Sequence, residues 1–559
     1  MNPSFIPKIV TMLQNGYRLG DLRADALAGL TVAIIALPLA MALAIASGAS
    51  PDKGLVTAVI AGFLISLLGG SRVQIGGPTG AFVVVIYNVI AQHGYDGLIL
   101  ATLMAGIILV CAGYARLGQV IKFIPYPVVT GFTAGIAVII ATSQIKDFLG
   151  LRMAEVPAGF LDKWAAYIAA LDTLDIATLA VGAGSLALII ALRRYAPKWP
   201  AYLVAIVAAS LAVALLPIPA DTIGGRFPDI PAGLPAPVWP DWSLVKMQAV
   251  IPAAFTIAFL AGIEALLSAV VADGMTGHKH RSNQELVGQG VANIASALFG
   301  GLPATGAIAR TAANIRAGGR SPVAGMLHAV FLLVFMMAAS DVMAYVPMAA
   351  LAAILFVVAW GMSEIRHFIH IFKLSRSDRA VLMLTFLLTV LVDLTVAIGV
   401  GVTLATLLFM QHMTRSVEIR RGGAGNDDEA EEEEDETQRV PLPDGVEVFR
   451  ITGPVFFGVA GDLVETLTRV GQMPKVLILR LSLVPYLDAT GASALDSVIR
   501  RCRQKGTAVI LSGLQAQPQQ ILSNKGIGHG KDGVIFSRHY AASLRLAAAL
   551  VEDGAPAPA

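Results

Sequence analysis

Charge is what this chain has least of. Only 14% of its 559 residues are Asp, Glu, Lys or Arg, and 56% are hydrophobic. A soluble domain carries about 25% charged residues. The last part of the chain has ordinary composition, so the deficit sits in the first ~410 residues, as apolar stretches long enough to cross a bilayer. Cysteine is nearly absent too. Cys111 falls in an apolar stretch and Cys502 in the polar tail, so no disulfide between them is expected. A formal net charge of +2 gives no sign of a nucleic-acid partner, and none is expected. Residues 1–24 are mixed and partly amphipathic, without the look of a cleavable signal peptide. No nucleophile–base pair, metal-ligand motif or nucleotide loop stands out, so neither an enzyme nor a metal or cofactor is expected.

What is present is apolar periodicity. Stretches at Leu27–Ala46, Leu55–Leu68, Thr79–Ile90, Leu98–Leu117, Val128–Ser143, Ile176–Leu192 and Tyr202–Leu216 form a first set. A second set runs Ile251–Val271, Leu286–Phe299, Thr305–Ile315, Pro322–Ala339, Val346–Trp360, Arg379–Val392 and Leu394–His412. This predicts an α-helical polytopic membrane protein of fourteen spans, seven plus seven, with repeats at about 25–217 and 250–412 inside a transport domain of 25–415. Loops on the N-terminal side carry Arg72, Arg116, Lys122, Arg193, Arg194, Lys279, Arg281, Arg316, Arg320, Arg366 and Lys373. Opposite loops carry acids such as Asp221, Asp229 and Asp241, so both termini are expected in the cytoplasm of a bacterial inner membrane.

After the spans comes an acidic run in which nine of the ten residues from Asp427 to Glu436 are Asp or Glu. Residues 416–443 are read as a solvated linker. Alternating strand and helix periods then predict a small α/β domain at 444–553, with a tail at 554–559.

Two short motifs occupy matching places. Gly76-Gly77-Pro78-Thr79-Gly80-Ala81 opens the third span, and Gly300-Gly301-Leu302-Pro303-Ala304-Thr305-Gly306-Ala307 opens the tenth. Both spans are short. A helix that starts inside the membrane leaves unpaired N–H groups and the positive end of its dipole at that point. Two such ends facing each other make an anion site without net charge. Glycine allows close approach and Thr79 and Thr305 add hydroxyls. Interrupted spans at corresponding positions of two halves point to a transporter's binding site. Tight helix packing is the competing explanation for the same glycines and prolines.

At these residues the sequence resembles the sulfate permease (SulP) family. Pro38 within Ala36–Ala42, the run Ala272-Asp273-Gly274-Met275-Thr276-Gly277, and Asn283, Glu285 and Gly288-Gln289-Gly290 carry the likeness further. The C-terminal part resembles a STAS domain. Ala261-Gly262-Ile263-Glu264 and Ile308–Asn314 are most similar to the family's enterobacterial C4-dicarboxylate branch. The resemblance implies a seven-plus-seven inverted repeat with core and gate domains, usually homodimeric. It also implies a site lined by Leu39, Leu43, Thr79, Gly80, Ala81, Glu264, Ser268, Ala304, Thr305, Gly306, Ala307 and Arg310. Burial of its carboxylate further makes Glu264, with Ser268 one turn on, the expected proton-coupling pair. Many relatives carry a polar residue where this chain has Leu39.

Glu264 lies in an otherwise apolar span, where a carboxylate is a functional candidate by default. It is read either as a titrating group or as a structural carboxylate paired with Arg310 or Lys146. Sodium-coupled relatives have Asp there with a nearby Thr, which Glu264 with Ser268 matches poorly. Arg310 either holds substrate or supplies long-range positive potential, or else snorkels to the cytoplasmic side and shapes the entry path. His278 and His280 are read as part of a basic loop. In the soluble domain Ala489 follows Asp488, where phosphorylated STAS relatives have Ser, so Asp488 is read as a helix cap. The domain is then a trafficking, assembly or cytosolic-partner module. Together these expectations give a secondary transporter of small anions, taking up C4-dicarboxylates such as succinate or fumarate with protons. Bicarbonate or sulfate transport, or an exchanger or channel, are the alternatives.

Overall fold

The structure is a computed structural model. It describes residues 5–119, 125–153, 156–157, 159–197, 199–216, 218–228, 231, 233–240, 242–422, 442–468, 474–530 and 534–552. The chain divides into two compact units, Met1–Ala405 and Thr406–Ala559.

A helix covers each of the fourteen apolar stretches. The first set comprises α1 (Leu19–Ala46), α2 (Pro51–Leu68), α3 (Val83–Tyr114), α4 (Tyr126–Ser143), α6 (Ile176–Tyr195) and α7 (Ala201–Leu215). The third and fourth stretches share α3, which breaks at Gly94 with φ 71°. An amphipathic connecting helix, α5 (Phe160–Ala169), was hidden to sequence reading by its brevity. The second set comprises α8 (Leu244–Thr276), α9 (Ser282–Leu298), α10 (Ile308–Arg316), α11 (Pro322–Met343), α12 (Met348–Met362), α13 (Arg376–Leu391) and α14 (Leu394–Arg415). Among the described residues, eight helical segments are long and apolar enough to cross a membrane by length and composition.

Packing sorts these helices into two groups. One joins α1, α2 and α3 to α8, α9, α10 and α11; the other joins α4 and α6 to α12 and α13, with α7 on α6. The first group is held by small residues. At Gly106 on α3 an added Cβ would lie 2.7 Å from the Gly290 carbonyl on α9, and at Gly290 one would lie 2.6 Å from that of Gly106. Close backbone approach of this kind drives helix association where lipid tails are as apolar as the side chains.

The second unit is a sheet with helices on both faces. Its strands are β3 (Glu418–Gly422), β4 (Val446–Thr452), β5 (Val476–Leu483), β6 (Ala508–Ser512) and β7 (Val534–Ser537), in that order. β3 pairs antiparallel with β4 and the others pair parallel. β3 corrects the expected linker at 416–443 over its first residues: Ile419 is its one half-buried side chain, and the charged Glu418, Arg420 and Arg421 suit an exposed edge strand. The acidic run 427–436 lies outside the described residues. Asp488 caps the helix Ala489–Gln504 by accepting the Gly491 N–H at 2.7 Å, and also accepts that of Phe457 at 3.1 Å.

Candidate functional site

The two glycine-rich motifs meet. Gly76–Gly77 (β1) and Thr305–Gly306 (β2) form a two-residue antiparallel pair, with Gly76 opposite Gly306 and Gly77 opposite Thr305. Sequence positions more than 200 residues apart thus cross at one point, and the helical segments they precede start there: a short turn at Gly80–Phe82 leading into α3, and α10.

Irregular backbone at this depth needs internal partners for its polar groups, and side chains supply them. Asn293 on α9 clamps Ala304, accepting its N–H and donating to its carbonyl, both at 2.9 Å. Thr57 accepts the Leu302 N–H at 2.6 Å, and Ser296 donates to the Leu302 carbonyl at 2.7 Å. Gly77 adopts φ 144°, a conformation that favours glycine, and a Cβ there would also lie 2.7 Å from the Arg310 guanidinium.

The expected site residues separate into two sorts. Thr79 is half-buried and donates its hydroxyl to Glu264 Oε2 at 2.8 Å. Gly80 and Ala81 follow at the helix start, beneath Met362. Leu39 is half-buried and Leu43 buried on α1. Thr305, by contrast, is fully buried and donates to the Ala261 carbonyl at 2.9 Å. The Ala307 N–H is spent on the Ile75 carbonyl at 2.8 Å. Ala304 and Ala307 therefore do not offer their N–H groups to a ligand, which corrects the expectation for those two. At these two helix starts, among the described residues, the N–H groups of Gly80 and Ala81 on one side and of Ile308, Ala309 and Arg310 on the other have no partner.

Ser268 sits one turn from Glu264 but is fully buried and bonded to Thr311 at 3.1 Å, and Thr311 in turn accepts the Ile75 N–H. It ties α8 to α10 and does not touch Glu264's partner Thr79. Arg310 is 3% exposed and donates to the Pro78 carbonyl, bracing the loop ahead of Gly80. Lys146 donates to the Met153 carbonyl at 3.1 Å. Among the described residues Glu264 makes no ion pair with either, and its bonded partner is Thr79. His278 meets Arg72 at 2.9 Å and His280 meets Asp273 at 2.7 Å, fixing the loop between α8 and α9. Burial and the positive charges of Arg72 and Lys8 hold the His278 imidazole below the usual histidine range.

Sequence reasoning missed Asn293, Gln74 and Met362. A signal for Asn293 existed: Glu285, Gln289 and Asn293 form an i, i+4, i+8 polar ladder on α9, linked by Gln289 to Glu285 Oε1 at 2.9 Å and Asn293 to the Gln289 carbonyl at 2.8 Å. Nothing in the local pattern marks Gln74, whose buried amide lies against the Cα of Gly306.

The sulfate permease family pattern matches residues 22–385, and the STAS domain pattern matches 438–534. The Bacillus subtilis protein named "Putative sulfate transporter YvdB" is 41% identical over 519 residues, covering 92% of this chain and 96% of its own. The bicarbonate transporter BicA of Picosynechococcus is 32% identical over 528 residues, covering 91% and 92%. The structure of murine Slc26a9, an anion transporter, superposes with a TM-score of 0.85 over 97% of this chain and 94% of that one; at 18% identity the likeness is one of fold. With a matching pattern over most of its membrane unit and a relative this similar along nearly its whole length, the chain belongs to the sulfate permease family of membrane anion transporters, carries a C-terminal STAS domain, and is not an enzyme.

Proposed function

We propose that this chain is a proton-coupled transporter of a small inorganic oxyanion, with sulfate first. The observation that carries the reading is the crossing of β1 and β2, which brings two helix starts with unpaired N–H groups together beside the Thr79–Glu264 pair. Helix ends bind anions through dipole and N–H geometry. Arg310, braced on Pro78, adds positive potential from behind. Glu264, joined to Thr79, is the group that exchanges a proton with each substrate.

Chemistry favours sulfate over bicarbonate in a proton-coupled scheme. A proton moved together with bicarbonate amounts to moving carbon dioxide and water, which cross membranes unaided. Bicarbonate becomes the better substrate if Glu264 never titrates, a second reading supported by likeness to a bicarbonate transporter. The relatives' names replace C4-dicarboxylates as first candidates. The apolar lining by Leu39, Leu43 and Phe82 supports a carrier over an open channel. Both termini in the cytoplasm of an inner membrane, a homodimer, and a cytosolic partner at the STAS domain belong to the same proposal.

Purified protein in proteoliposomes tests it. Labelled sulfate should enter saturably, and faster when the outside is acidified. Bicarbonate should compete at neutral pH, and succinate and fumarate weakly. A non-saturating leak that ignores pH would establish a channel, and competition by succinate or fumarate alone would restore the dicarboxylates.

A further inference from the structure

A second polar space lies away from the helix ends. A cavity of about 520 Å³ opens between the two helix groups, lined by the C-terminal end of α1, by α3 from Val84 to Gln92, by the end of α4, by α5 and by the α13–α14 junction. Val84 is one turn past Gly80, so the cavity runs toward the end of α3 that carries the unpaired N–H groups. By the order of the stretches, all these ends lie on the face opposite the termini.

Its ionisable lining is Lys146, Lys163, Arg226, Asp147 and Asp393. Both carboxylates are engaged. Asp147 accepts from Arg226 at 2.8 Å, and Asp393 accepts the first N–H groups of α14. Arg226 is thereby balanced. Lys146 donates to the neutral Met153 carbonyl at 3.1 Å rather than to a carboxylate. Lys163 is the unusual member: it is 7% exposed, and its amine sits 5.1 Å from the centre of the Tyr87 ring, a cation–π contact. Burial alone pulls this amine below the usual lysine range, with no carboxylate offsetting it. A buried cation without an anion is costly unless something supplies one.

We propose that this cavity is a second anion station, in which Lys163, with Lys146 beside it, holds an incoming small oxyanion before it passes to the helix ends. The amine is compact, rotatable and a three-way donor, suited to an anion that must leave again. With Arg226 paired to Asp147, two lysines against the one carboxylate of Asp393 leave the cleft positive, and a low-dielectric cleft of that sign raises the local anion concentration. The proposal rests on the transport reading above.

The test uses the full chain in oriented proteoliposomes with labelled sulfate. Lys163→Gln should raise KM for sulfate offered on the α5 side about tenfold, the scale of one charged hydrogen bond. It should leave kcat for entry from that side unchanged, so that the loss is read in KM there. Lys163→Arg should restore KM, and added inert salt should shrink the difference between wild type and Lys163→Gln. A parallel measurement needs no variant: sulfate should protect Lys163 from a membrane-impermeant amine reagent, read by mass spectrometry. Unchanged KM in Lys163→Gln, or Lys163→Arg as poor as Lys163→Gln, would overturn the station. Uptake in the wild type without protection of Lys163 would overturn it too. Protection of Lys163 in a protein that takes up no sulfate would keep the station and sink the transport reading.

Discussion

The third and tenth helices begin with similar words and do different things with them. At the third, Thr79 is half-buried and its hydroxyl meets a carboxylate, Glu264. At the tenth, Thr305 is fully buried and its hydroxyl meets a backbone carbonyl, that of Ala261. Glycines diverge in the same way. A Cβ on Gly80 would lie 2.5 Å from Met362 Sδ, the end of a flexible side chain; one on Gly306 would lie 1.5 Å from the buried Gln74 amide nitrogen. Pseudo-symmetry of sequence has been divided into a chemical end and a structural end. A repeated motif therefore locates a site without saying which copy turns its side chains to chemistry.

The largest expected effect breaks the structural end. Gly306→Val should deny the protein its fold, because the Gln74 amide has nowhere to go. Overpacking usually costs about 1–3 kcal/mol, and more where backbone must shift. A detergent melting curve should show it, and Gln74→Ala should partly rescue Gly306→Val. A stable Gly306→Val protein with altered sulfate affinity would instead move Gly306 into the site.

Glu264→Gln comes next and strikes the chemical end. It keeps the shape and the Thr79 contact but cannot exchange a proton. Uptake driven by a pH gradient should vanish while sulfate–sulfate exchange survives and the melting temperature stays near wild type. Wild-type pH dependence in this variant would remove Glu264 from coupling.

Gly80→Val is expected to be milder in stability than its counterpart at 306, since Met362 can swing aside. It should still weaken sulfate binding, followed by calorimetry. Adding Met362→Ala should recover stability and leave binding poor. Recovery of both would show that Gly80 serves packing alone.

The smallest effect separates the two threonines. Thr79→Ala and Thr305→Ala each remove one hydroxyl, worth about 0.5–1.5 kcal/mol. Thr79→Ala should spend that on sulfate affinity, two- to tenfold, with little change in melting. Thr305→Ala should spend it on melting, with affinity kept. Equal behaviour of the two would erase the distinction drawn here.

Much of this was legible in the sequence. Apolar runs placed the helices because membrane spans leave a coarse signal that needs only composition. The paired Gly/Pro motifs located the crossing of β1 and β2 because breaks in otherwise apolar helices are rare and conspicuous. Which N–H groups remain free was not legible. That depends on the Asn293 clamp on Ala304 and on the Ile75 carbonyl opposite Ala307, contacts made by residues far from the motif. Ser268 could be put on the Glu264 face by helical spacing, yet spacing does not say that Thr311 reaches it first. In the second unit the edge strand Glu418–Gly422 escaped notice because its arginines read as a polar extension of the last span.

The β1–β2 crossing also sets what this machine can and cannot flex. Gly76, Gly77, Thr305 and Gly306 are bonded to each other, and Ala307 is bonded to Ile75, so the two helix tips are buttoned together across the halves of the chain. Neither tip can tilt away from its mate without tearing that fastening inside an apolar medium, where each broken bond is expensive. On the proposed transport reading, opening to one side and then the other would fall to the seam between the helix groups, where α1 meets α12 and α7 and where the Lys163 cavity lies. On that reading the grip on the cargo would keep one shape from one face of the membrane to the other, while its surroundings slide.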